Sequence, residues 1–169
     1  WPLSDNAALV AEALAGIDRE QLARQQDGDT GPLPPAVYLS ISGGGDNGAF
    51  GAGLLNGWSA SGDRPQFKVV TGISTGALIA PFAFLGSDHD DELAAVYTSV
   101  TQKDIFSQRS MLSALTEDGL GDTTPLYKLI GSYVDSTFLA RVAEEYRRGR
   151  FLFIGTTNLD AQQPVIWNM

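Results

Sequence analysis

The sequence predicts a three-layer α/β fold with a mainly parallel central sheet. Two β-rich runs, residues 36–42 and 67–71, each pass directly into a glycine-containing turn and then into a helical apolar segment. Two further strand candidates, 151–157 and 165–169, follow a long helical stretch, so strands and helices alternate as a parallel sheet between helical layers requires.

At 169 residues, 43% hydrophobic and 18% charged with 19 glycines, the chain has the size and make-up of one compact α/β domain. The amino end reads as an amphipathic helix, because Leu3, Ala7, Val10, Leu14 and Ile17 recur at three- and four-residue steps; one face should pack on the domain. A Gly-, Asp- and Pro-rich stretch, 27–35, stops that helix and leads into the first strand. Residues 1–35 are thus expected to be a lead-in and 36–169 the working part. Helices are expected at 49–60, from the second turn to Leu85, and as several short pieces through 87–148, with a loop at 116–125.

Twenty acidic against eleven basic side chains give a net charge of −9, which repels phosphate backbones and excludes nucleic acid as an expected partner. The same charge disfavours docking on anionic lipid, so any transient membrane contact would rest on exposed apolar side chains. With no cysteine there is no disulfide framework, thiolate nucleophile or thiolate zinc site. The first residue is Trp1, so the start is expected to be processed, and the compartment stays open, cell envelope and secretion included.

Two motifs carry chemistry. Gly72-Ile73-Ser74-Thr75-Gly76 fits the G-x-S-x-G nucleophile elbow, in which Gly72 and Gly76 permit a sharp strand-to-helix turn that projects Ser74 from the sheet. Gly43-Gly44-Gly45-Asp46-Asn47-Gly48 is a loop of unobstructed backbone N–H groups at a helix start, a cradle for negative charge. Read alone, that loop also satisfies the dinucleotide fingerprint, with Asp63 as the ribose-binding acid to be sought, although Asp63 sits in a Gly-Asp-Arg-Pro loop rather than at a strand end. Together the motifs set a nucleophile after one strand and an amide-lined pocket after its neighbour, the layout acyl transfer needs.

On these residues the sequence resembles the patatin-like phospholipase family, whose members carry a Gly-rich oxyanion loop, then G-x-S-x-G, then a distant Asp-Gly-Gly or Asp-Gly-Ala. Ser-Gly-Gly-Gly-Asp-Asn-Gly-Ala-Phe and Gly-Ile-Ser-Thr-Gly look like the first two blocks. The resemblance implies a patatin-like fold, a Ser-Asp dyad with Ser74 as nucleophile, and Gly43, Gly44, Gly45 and Gly48 as the oxyanion loop. It further implies hydrolysis of acyl esters in phospholipids or other lipids, with no metal or organic cofactor. Many members carry Arg or Lys where this chain has Asn47.

A serine hydroxyl needs a base. His89, the one histidine, lies in Ser-Asp-His-Asp-Asp, which reads as an exposed, acidic helix start rather than part of a triad. Neither Asp-Gly-Gly nor Asp-Gly-Ala occurs in the chain. Asp118, followed by Gly119 and Leu120, is the nearest approach, and Asp122 and Asp160 read as loop acids. The base is therefore expected beyond Met169, in a carboxyl-terminal remainder that would complete the sheet. A binding fragment that keeps the elbow without the base, and a nucleotide-binding module, are the competing classes.

Overall fold

The structure is a computed structural model that describes residues 6–98, 107–108, 121–122 and 124–169. Its sheet has the order β1-β2-β5-β6, with β1 at Tyr38–Ile41, β2 at Val69–Ile73, β5 at Phe151–Asn158 and β6 at Gln163–Asn168. β1, β2 and β5 run parallel, and β6 returns antiparallel beside β5. The fourth strand is thus a hairpin return rather than another parallel crossover, because only Leu159 to Gln162 separate it from β5 and so short a link reverses direction. β3 (Ser107–Gln108) and β4 (Gly121–Asp122) form a separate two-residue ladder.

Parallel pairing demands crossovers. β1 reaches β2 through α2 (Gly48–Ser61), and β2 continues into α3 (Thr75–Leu85) and α4 (Asp90–Thr98). α5 (Thr124–Tyr133) and α6 (Ser136–Arg147) precede β5. The apolar side chains of α2, α3, α4 and α6 close over one face of the sheet in a single core, with Phe67, Val70, Ile79, Phe84, Leu93 and Leu152 at its centre. α1 (Asn6–Gln26) lies on the opposite face, so the layers are helix, sheet, helix. This is the open, mostly parallel α/β architecture the sequence predicts.

α1 corrects one expectation. The helix forms, but Val10, Leu14 and Ile17, the stripe expected to pack, face solvent; Leu3 lies outside the described residues. The packed face is built on small and charged residues instead. A Cβ on Gly16 would stand 2.3 Å from Phe151, and one on Gly149 would stand 2.2 Å from the Gly16 carbonyl, so bare backbones meet there. Around that contact Arg19 bonds Glu12 at 2.8 Å and lies 4.2 Å over the Tyr146 ring, Tyr146 donates to Glu12 at 2.7 Å, and Lys68 pairs with Glu20. Periodicity finds a helix's apolar stripe, but the close approach of two glycines decides which side docks.

The carboxyl end of α3 is held by two buried guanidiniums. Arg150 donates from Nε to the Phe67 carbonyl at 2.8 Å and from Nη2 to the Phe84 carbonyl, while its Nη1 bonds Glu145 at 2.7 Å. Arg64 donates to the Ala83 carbonyl at 3.1 Å and to Asp90 at 2.6 Å. The last carbonyls of a helix have no partner within it, so these arginines satisfy groups that burial would otherwise strand.

Arg150→Met should lower unfolding free energy by about 3 kcal/mol, because it strands Glu145 and two carbonyls at once; urea denaturation would measure the loss. Burial works to raise the pKa of Glu12, but hydrogen bonds from Tyr146 and Arg19 and the Arg19 charge outweigh it and hold the carboxyl below its ordinary value. A depressed folded-state pKa stabilises the fold at neutral pH and loses that contribution as pH falls through the carboxylate range. Glu12→Gln should therefore cost about 1 kcal/mol at pH 7 and flatten the acid limb of a stability-against-pH curve measured by thermal unfolding.

Candidate active site

Ser74 stands between the last residue of β2 and the first of α3, where an extended backbone must become helical without an intervening loop. Its φ of 55° and ψ of −124° are unusual for a residue with a side chain, a conformation that costs about 1 to 3 kcal/mol. The two flanking glycines make this turn sterically feasible. A Cβ on Gly72 would fall 2.3 Å from the Gly76 carbonyl oxygen, and one on Gly76 would fall 2.2 Å from the Ile41 carbonyl oxygen. The start of α3 therefore rests directly on β2 and on the end of β1, and the Ser74 side chain is left exposed.

The parallel register pairs Ile41 with Gly72, so the segments leaving β1 and β2 emerge side by side at the carboxyl edge of the sheet. The β1 exit is Ser42, Gly43 and Gly44, then a 3-10 turn at Gly45–Asn47, then α2. Gly43 meets the serine: a Cβ there would lie 2.9 Å from Ser74 Cβ and 3.5 Å from its Oγ. Gly44 and Gly45 are exposed, and Gly45 needs its freedom for a φ of +55°. Gly48 differs from the other three. Its N–H is already bonded within the turn, and its Cα is buried against Thr75 Oγ1 and Tyr97 Oη, so it is required for close approach rather than as a donor.

Two segments near the exposed hydroxyl carry N–H groups without partners. Among the described residues those of Gly43 and Gly44 have no hydrogen-bond partner. Thr75 and Gly76 belong to the first turn of α3, whose N–H groups have no carbonyl one turn back, while Ala77 N–H bonds the Ser74 carbonyl at 2.9 Å. Helix polarity adds partial positive charge at that end.

The acid and base candidates are dispersed. His89 is a correction: it is buried rather than exposed, packed edge-on against Phe138 at 5.2 Å, with Nδ1 3.6 Å from Glu92 and neither ring nitrogen hydrogen-bonded. It follows the carboxyl end of α3, the whole helix away from Ser74, about 16 Å at 1.5 Å per residue. The acidic residues around it suggested a solvated turn, whereas the packing of α6 against α3 covers it. Asp160 occupies the exposed β5–β6 turn, two residues past the end of β5 at Asn158; Gly155, three residues before that end, pairs with Ile73. Asp118 lies outside the described residues, and of Asp122 only the backbone is described. Asp63 follows the end of α2, at the edge of the sheet opposite the glycine loop. Ser74 Oγ has no hydrogen-bond partner among the described residues.

A cleft of about 340 Å³ opens elsewhere, lined by Arg64, Phe67, Phe84, Gly86 and Arg150 at the carboxyl end of α3. It is remote from Ser74, and the guanidiniums beside it are spent on helix carbonyls. No group of three or more His, Cys, Asp or Glu that could hold a metal occurs among the described residues.

Thr75 and Tyr97 are the neighbours sequence reasoning missed. Their hydroxyls lie 2.7 Å apart, and Tyr97 Oη also reaches the Thr75 carbonyl at 3.2 Å. Tyr97 belongs to α4, 22 residues further along the chain, and no spacing rule links the two.

The chain is thus an open, mostly parallel α/β domain with a glycine loop and a tight serine turn at adjacent strand ends. The chain belongs to the patatin-like phospholipase family, whose model matches residues 39–166, about three quarters of its length. No curated protein and no solved structure gives a significant match.

The packing separates two kinds of glycine. Gly76→Ala should unfold or strongly destabilise the protein, by more than about 3 kcal/mol, since backbone on two elements would have to move. Gly57→Ala, in α2 with open space around it, should instead stabilise by about 0.5 to 1 kcal/mol. Thermal unfolding of both variants would test the contrast.

Proposed function

We propose that residues 36–169 carry the nucleophile and the oxyanion cradle of a lipid acyl hydrolase, with residues 1–35 as a lead-in and the partner aspartate outside this chain. The observation that carries the reading is the positive-φ turn at Ser74, with Gly43 of the neighbouring loop close beside it. Backbone strain of that kind is retained where a side chain must be projected, and a plain strand-to-helix turn would not need it.

In this reading Ser74 Oγ attacks the ester carbonyl carbon and passes its proton to the aspartate. Negative charge develops on the carbonyl oxygen, and in this reading the N–H groups of the glycine loop, Gly43, Gly44 and Gly45, receive it together with those of Thr75 and Gly76 at the start of α3. These donors are fixed before the reaction, so they need little reorganisation as charge appears. Collapse of the tetrahedral adduct breaks the bond to the alkoxy oxygen, which leaves with the proton as an alcohol. Water then hydrolyses the acyl-serine by the same steps in reverse. Support for a lipid substrate is the family membership. The exposed apolar side chains Phe50, in the first turn of α2, and Ile73, next to Ser74, suit an acyl chain and a transient contact with an uncharged lipid surface. Nucleotide binding finds less support, since Asp63 is at the far end of α2 from the loop.

A fluorophosphonate should modify Ser74 and spare Ser40 and Ser42, as peptide mapping of the adduct would reveal. The 169-residue chain alone should turn over p-nitrophenyl esters little or not at all, whereas a longer version reaching an Asp-Gly-Gly or Asp-Gly-Ala block should be active in a Ser74-dependent way. Equal, Ser74-dependent rates from both would move the base to an acid within the chain, Asp118 first. Labelling elsewhere with Ser74 untouched in folded protein would leave a non-catalytic binding domain.

A further inference from the structure

The Thr75–Tyr97 hydroxyl pair lies directly behind the elbow. Tyr97, in the last turn of α4, is half-buried and touches the elbow through its hydroxyl. One proton assignment satisfies both of its contacts: Thr75 Oγ1–H donates to Tyr97 Oη over 2.7 Å, and Tyr97 Oη–H donates to the Thr75 carbonyl over 3.2 Å. Burial pushes the Tyr97 pKa up, against the opposing hydrogen bond from Thr75, so the phenol keeps its proton at neutral pH.

We infer that Tyr97 is a positioning residue that sets the aim of the oxyanion donors through the backbone of Thr75, an inference that rests on the acyl-hydrolase reading above. The Thr75 carbonyl and the Gly76 N–H belong to one planar trans peptide and point in opposite directions, so anchoring the oxygen also fixes the direction of the donor. The other donors depend on the same pair. A Cβ on Gly48 would stand 2.3 Å from Thr75 Oγ1 and 2.8 Å from Tyr97 Oη, so the exit of the glycine loop is seated on these two hydroxyls. The pair is where α4, the elbow and the loop meet, and it holds the two donor sets in register. Phenylalanine would fill the same volume without the two bonds, so a space-filling role and a positioning role make different predictions.

The test measures covalent inactivation by a fluorophosphonate, with the maximal rate (kinact) and the apparent affinity (KI) separated. It uses the 169-residue chain and the longer version that carries the base. Tyr97→Phe should lower kinact about 10-fold with KI unchanged, since a 1 Å misplacement costs about 100-fold and this displacement is smaller. Thr75→Ser, which keeps the hydroxyl, should react faster than Thr75→Val, which lacks it. Thr75→Val removes the pair from the other side and should match Tyr97→Phe, and the double variant should be no slower than either single one. Thr75→Val also decides the matter if Tyr97→Phe fails to fold. The inference is overturned if folded Tyr97→Phe or Thr75→Val reacts at the parental rate, if only thermal stability falls, or if the two losses multiply. Absence of Ser74 labelling in both unsubstituted forms would defeat the acyl-hydrolase reading itself, and this inference with it.

Discussion

Helix α3 approaches the sheet at backbone contact distance because Gly72 and Gly76 carry no side chains, and the geometry of the candidate site depends on that approach. With Gly76 against the Ile41 carbonyl, no room remains for a loop between β2 and α3, so the reversal falls on one residue. Ser74 absorbs it with a positive φ, at an energetic cost that the core beneath must cover. The same contact ties the helix start to the end of β1, which is why Gly43 arrives beside the serine. One close approach therefore sets both the projection of the side chain and its proximity to the loop.

The two ends of α3 are treated in opposite ways. Its carboxyl end is wrapped by Arg150 and Arg64, which satisfy the Phe84 and Ala83 carbonyls inside the fold. Its amino end keeps unbonded N–H groups facing the exposed Ser74. A helix with one neutralised and one open end presents its polarity where a developing anion would use it. α3 itself has no charged side chain, so its own contribution to the polarity at the serine comes from its backbone.

The outer layer is assembled by different physics. α1 docks through glycine contacts and ion pairs rather than an apolar stripe, leaving Val10, Leu14 and Ile17 exposed. Tyr38 and Ile73 are exposed on the same face of the sheet, as the β1–β2 register requires, since Ile73 lies four residues past Val69, the partner of Tyr38. The site lies between a tightly packed layer, which sets its backbone, and a more open one.

The sequence by itself determined the repeated strand, turn and helix units, the parallel sheet, and the identity of the two glycine motifs. These are local signals: strand propensity, helical periodicity, and glycines where a turn must be tight. Three-dimensional packing decided everything that joins distant residues. The carboxyl edge brings Gly43 to Ser74 only because β1 pairs with β2, and the Thr75–Tyr97 bond exists only because α4 folds back along α3. His89 read as solvated from its acidic neighbours, and a helix 49 residues later, carrying Phe138, buries it. Which face of α1 docks was equally beyond periodicity, since a contact between Gly16 and Gly149 has no signature in either segment alone. Local chain chemistry specifies the elements and their turns, whereas steric fit between elements chooses the partners and hence the surroundings of Ser74.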